Sequence, residues 1–232
     1  MDQDRRQVNT RYYIKNGSYK CPKNVPFIGS KIPNIYFEMA EDFAERSLGN
    51  HRPTSHDTSD KRPLEKQKED SLRGKLSELL LSYMINKTTE YLQCTEPDLK
   101  VYPLGTWDSF DLEITPKNGC KKIVSVKGTK NNSNFLLLTL GDYDDDMNYR
   151  YTNDKQPDIH FLVRTDLDKK LYDCPGFLLK EDLISARKRD FIMYKKERIK
   201  LGPMLITDNL YACADDLRRF EKLIQSGKSR RS

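Results

Sequence analysis

Asp111, Glu113, Ser125 and Lys127 are spaced so that two short strands would carry them to one sheet face. The outgoing segment reads Ser109-Phe110-Asp111-Leu112-Glu113-Ile114. It turns around Asn118-Gly119 and returns as Ile123-Val124-Ser125-Val126-Lys127. Side chains alternate between faces along a strand, so Leu112 pairs with Ile114 in direction, and Val124 with Val126. If those apolar sets face the core, the four polar side chains meet on the opposite side. Carboxylates gathered beside an ammonium suit magnesium-assisted attack of water on a phosphodiester, because oxygen ligands hold the ion and the ion activates the water. Asp111 is the best direct ligand in this reading, and the carbonyl of Val126 a second. Glu78 would bind directly or through a water. Lys127, flanked by carboxylates, stays protonated and acts electrostatically on the water or the phosphate.

The elements that must position these residues follow from apolar spacing. The pattern predicts a helix over 35–48, with Tyr36, Met39, Ala40 and Phe43 on its apolar face. A polar loop follows over 49–63. A long helix is expected over 64–88, with Leu72, Leu76, Leu79, Leu80, Tyr83 and Met84 on one stripe and Gly74, Glu78, Leu81 and Ile85 on a second. Glu78 therefore has apolar neighbours along its stripe. Gly74 inside a helix costs about 1 kcal/mol relative to alanine, which suggests a close approach to the backbone there. Strands are expected over 99–104, 110–115, 122–127, 134–140 and 159–163. The run Phe135-Leu136-Leu137-Leu138 is apolar enough for a central strand covered on both sides. Residues 180–193 and 214–225 read as helices, and Arg11 to Ile14 as a short strand. The order gives an α/β fold, a mixed sheet flanked by helices.

With those elements in place, the chain resembles the PD-(D/E)xK nuclease superfamily. Gly74-Lys75-Leu76-Ser77-Glu78 is similar to the helix carrying that superfamily's first acidic residue. Asp111 in Ser-Phe-Asp-Leu matches the acidic residue opening the catalytic hairpin, and Ser125-Val126-Lys127 matches the acidic-x-Lys tripeptide. The resemblance spans about residues 64–165. It implies a restriction-endonuclease-like core and a magnesium-dependent endonuclease, with manganese able to substitute. The implied enzyme is a type II restriction enzyme acting on double-stranded DNA as a homodimer. The same resemblance also covers a repair, recombination or phage nuclease, or an inactive DNA-binding module. Ser125 departs from the pattern, which has Asp or Glu there. Glu78, Glu113 and, less well, Asp142 are the candidates to supply the missing carboxylate, with Glu78 preferred.

Composition bounds the rest. The chain has 232 residues, 33% charged and 36% hydrophobic, with a net charge of +6 and a pI near 8.9. This divides into an N-terminal extension over 1–63, a nuclease-like core over 64–226 and a basic tail over 227–232. No apolar run is long enough for a bilayer and no signal peptide is visible, so a cytoplasmic protein without membrane contact is expected. Five scattered cysteines without a Cys-x-x-Cys motif suggest reduced structural thiols. Lys130, Asn131, Asn132 and Asn134 follow Lys127 in a loop suited to base edges and phosphates, and Arg187, Lys188 and Arg189 begin the densest basic stretch. His51, His56 and His160 show no ligand spacing, and His160 reads as a strand histidine. The acidic run Asp142 to Asp146 has no role in this scheme.

Overall fold

The computed structural model describes residues 13–15, 18–20, 26–48, 63–88, 92–102, 110–116, 121–133, 135–139, 143–144, 146–150, 156–181, 184, 192–193 and 209–213. Strands β1 (Tyr13–Lys15) and β2 (Ser18–Lys20) form an antiparallel pair, and β3 (Ser30–Lys31) precedes helix α1 (Asn34–Arg46). Helix α2 (Leu64–Thr88) leads into β4 (Leu92–Cys94), β5 (Leu112–Pro116) and β6 (Lys122–Lys130). Then come β7 (Phe135–Thr139), β8 (Ile159–Asp166), β9 (Leu171–Leu179), β10 (Ile192–Met193) and β11 (Asn209–Cys213).

Six strands make one mixed sheet in the order β3-β9-β8-β6-β5-β4, with β6 and β8 parallel and the other neighbours antiparallel. Helix α2 lies on one face because Leu81 and Ile85 pack with Leu112, Val124, Val126 and Phe161. Its other stripe, Leu72, Leu76, Leu79 and Leu80, packs with Ala40 and Ala44 of α1 and with Ile32. The 64–88 helix and the 35–48 helix thus occur nearly as their spacing predicts. Residues 26–48 are also built into the sheet, through β3 on β9 and α1 on α2.

The opposite face of the sheet meets Leu136, Leu138, Tyr143 and Met147, which pack on Leu162 and Leu178. Here the expectation for 134–140 is corrected. β7 is an edge of a separate three-stranded sheet, β10-β11-β7, rather than a central strand of the main one. Its Leu136 and Leu138 are buried against the main sheet. The strand covered on both sides is β8, buried throughout Ile159 to Thr165.

Three further expectations change. Residues 95–102 have no regular structure, and the edge strand is β4 instead. Within 95–102, Lys100 N–H donates to Asp98 Oδ1 at 2.8 Å. Asn86 of α2 clamps β4 by accepting from Cys94 N–H at 2.8 Å and donating to the Cys94 carbonyl at 2.9 Å. Helix geometry begins at Lys180, but Ile192–Met193 pairs with β11 as a strand. Finally, the space in front of Gly74 is open, and the close approach falls at Gly128. A Cβ there would meet Ser77 Oγ at 2.5 Å and the Arg73 carbonyl at 2.8 Å. The expected 214–225 helix lies outside the described residues. Cys94 and Cys174 are unbonded thiols. Burial pushes Cys94 up to about 11 and Cys174 up to about 12.

Candidate functional site

The hairpin register sets Leu112 opposite Val124, Glu113 opposite Ile123 and Ile114 opposite Lys122. Leu112, Ile114, Val124 and Val126 are all buried under α2, so Glu113, Ser125 and Lys127 project to the other face, as alternation requires. β5 begins at Leu112, whereas β6 runs on to Lys130 alongside β8. The two strands therefore part at Asp111, and the Asp111 carboxylate takes over the ladder. Its Oδ2 accepts from Val126 N–H at 2.6 Å. In a strand the N–H and C=O of one residue point the same way, so the Val126 carbonyl also faces the Asp111 side of the fork.

The other carboxylates are held elsewhere. Glu113 is ion-paired with Lys121 at 2.7 Å, and its backbone N–H donates to Thr95 Oγ1 at 2.9 Å. It sits opposite Ile123, about 13 Å along the strand from Lys127 by strand rise. Glu78 lies on α2, on the opposite side of the sheet from Ser125 and Lys127, and pairs with Lys75 at 2.6 Å. Lys75 in turn lies 4.8 Å over the Phe43 ring of α1. Among the described residues no three His, Cys, Asp or Glu side chains converge as a metal would require. Asp111 and the Val126 carbonyl are the pair of oxygen donors the fork brings together, and hard oxygen donors fit magnesium. Asp142 lies outside the described residues.

Of the residues expected to touch DNA, Lys130 is ion-paired with Glu69 at 3.3 Å. Arg73, Lys66 and Lys130 pull the Glu69 carboxyl down to about 2 despite partial burial. Asn131 donates to Asp166 Oδ2 at 2.7 Å, and Asn132 is exposed in the turn after β6. Asn134, Arg187, Lys188 and Arg189 lie outside the described residues. In the acidic run, Asp144 accepts from the Asn148 side chain at 2.9 Å and backbone at 2.8 Å, which holds its carboxyl below the usual range.

Sequence reasoning set one residue aside that the fold brings to this site. His160 on β8 is the direct neighbour of Ser125 on β6. It is fully buried, and among the described residues neither ring nitrogen has a hydrogen-bond partner. The Tyr143 ring stands edge-on to it at 6.1 Å. Burial, then the Lys127 and Lys180 ammoniums, push its pKa down to about 3. The imidazole is uncharged. A histidine at an inward position of an otherwise apolar strand, Ile159-His160-Phe161-Leu162-Val163, is the signal that marks it.

Comparison with protein-family models, with curated proteins and with solved structures gives no significant match.

Proposed function

We propose that this protein is a magnesium-dependent DNA endonuclease of the type II restriction kind, built on a restriction-endonuclease-like core. The observation that carries the reading is the fork. Asp111 bonds to the Val126 backbone where β5 leaves β6, and Lys127 is the next residue on β6. The element order supports it: α2, then antiparallel β4, β5 and β6, then β8 parallel to β6. Asp111 and the Val126 carbonyl would hold the metal. Magnesium, when bound there, supplies charge that favours an attacking water and a developing phosphorane. Lys127 neutralises phosphate charge as it develops. Double-stranded DNA is the substrate, and a homodimer would present two sites to the two strands.

The test is cleavage of supercoiled plasmid with magnesium or manganese. Asp111→Ala and Lys127→Ala should each abolish cutting while DNA binding persists. Full activity in either variant would sink the assignment. Discrete fragments would identify sequence-specific recognition, whereas random or structure-dependent nicking would favour a repair, recombination or phage nuclease.

The engagement of Glu113 with Lys121 and of Glu78 with Lys75 favours a second reading, a DNA-binding module with a reduced site. Calorimetric titration of magnesium into the DNA complex separates the two, since this reading requires no magnesium uptake at the fork.

A further inference from the structure

We propose, resting on the nuclease reading, that His160 is a positioning residue for Lys127. Its imidazole has no partner among the described residues, and a turn of the Lys127 side chain would let it accept a hydrogen bond from the ammonium, for which the serine at position 125 offers no charged partner. The strand register places the two on one face: His160 sits beside Ser125, and Lys127 lies two residues further along β6, beside Leu162. From strand spacing and rise they are diagonal neighbours roughly 8 Å apart at Cα, within reach of a lysine side chain.

Three further observations bear on it. First, a buried imidazole with both nitrogens unpartnered is destabilising, and an apolar side chain among Leu162, Leu178 and Tyr143 would avoid that cost. Second, among the described residues the carboxylates of the hairpin and its border are committed elsewhere. Glu113 binds Lys121, Asp158 binds Lys122, and Asp111 holds the Val126 N–H. Among the described residues Lys127 has no ion pair, whereas Lys180 donates to Asn148 Oδ1. Third, the imidazole is neutral, so it presents a lone pair rather than a competing charge. A Lys127 Nζ anchored at one N–H keeps its other two for a phosphate held at the fork. His160 itself, fully buried, touches no substrate.

The experiment uses the full chain in two arms. In plasmid cleavage with magnesium, His160→Leu should lower kcat by about a hundredfold with KM for DNA unchanged, as for a displaced catalytic group. Its melting temperature at neutral pH should stay level or rise. At least one of His160→Gln and His160→Asn should recover most of the rate, since each restores an acceptor. Wild-type kcat in His160→Leu, or no recovery with either amide, overturns the proposal. The second arm does not need activity. In protein carrying 15N-histidine, the His160 ring signals should show a neutral imidazole and should shift in Lys127→Ala but not in Lys121→Ala. No response to Lys127→Ala overturns the contact. If the wild type cuts no DNA, the nuclease reading fails, and the ring signals alone decide the contact.

Discussion

His160 ties acid stability to one side chain. Its free pKa is near 6.5, and in the fold it is pushed down to about 3 by burial, Lys127 and Lys180. The unfolded chain therefore takes up a proton that the folded chain resists. The contribution of this group is at its full value above pH 6.5 and is lost as pH falls toward 3, at up to about 1.4 kcal/mol per unit across that interval. Replacing His160 with Leu should flatten the acid side of the stability curve. Urea melts at pH 4, 5 and 7 measure it, and an acid slope equal to wild type would contradict the assignment. Glu113 gives the complementary case. Its partner Lys121 is 67% exposed, so the pair contributes little. Glu113→Gln should leave both stability and plasmid cleavage near wild type. A cleavage loss as deep as that of Asp111→Ala would restore Glu113 as the compensating carboxylate.

At the scale of elements, α2 and β6 touch where a glycine is needed, and the sequence offers two candidates. Gly74 faces open space, so Gly74→Ala should stabilise the fold by up to about 1 kcal/mol through helix propensity alone. Gly128→Ala should destabilise by about 1–3 kcal/mol. Its methyl would collide with the Arg73 carbonyl, which is fixed by accepting from Ser77 Oγ at 2.7 Å. Thermal melts of the two variants should move in opposite directions, and a shared direction would refute this account. The pair also shows what was legible beforehand. Helical spacing announced α2 and α1, because their apolar stripes are set by contacts one turn apart. Alternation announced the hairpin and the faces of Leu112, Val124 and Lys127. It could not announce which sheet receives β7, since an apolar run fits any doubly covered layer. Nor could it show that the edge strand would be β4, where Asn86 supplies the bonds. The candidate site divides the same way. The places of Asp111 at the opening of the hairpin and of Lys127 on the return strand were legible from local pattern. The commitments of Glu78 and Glu113 and the placing of His160 beside Ser125 depend on partners chosen in three dimensions.

For the whole molecule, packing crosses the boundary expected at residue 63. α1 covers Leu72, Leu76, Leu79 and Leu80, so a chain cut to residues 64–232 would expose that stripe. Circular dichroism and melting of the truncated chain should show loss of cooperative unfolding, and a wild-type transition would argue for an independent core. The attachment has an ionic part as well. Arg164, only 1% exposed, forms a two-point pair with Asp173, donates from Nη2 to the Pro26 carbonyl at 3.0 Å and lies 5.5 Å from the centre of the Phe27 ring. Asp173 also accepts from Ile28 N–H at 3.1 Å. Asp173→Ala should cost about 3–5 kcal/mol by stranding the buried guanidinium, and Arg164→Met in the same chain should recover part of it. Denaturant titration of the single and double variants measures both. The clasp also imposes an order of events. Arg164 and Asp173 meet across a short hairpin, whereas Pro26 reaches Arg164 over 138 residues of chain. Closing the long loop costs entropy that a formed hairpin helps to offset, so β8 and β9 are expected to assemble before the N-terminal segment docks, and pulsed hydrogen exchange that protects both together would contradict this. On that order the segment at Pro26 and Phe27, though synthesised earlier, waits on a strand made more than a hundred residues later.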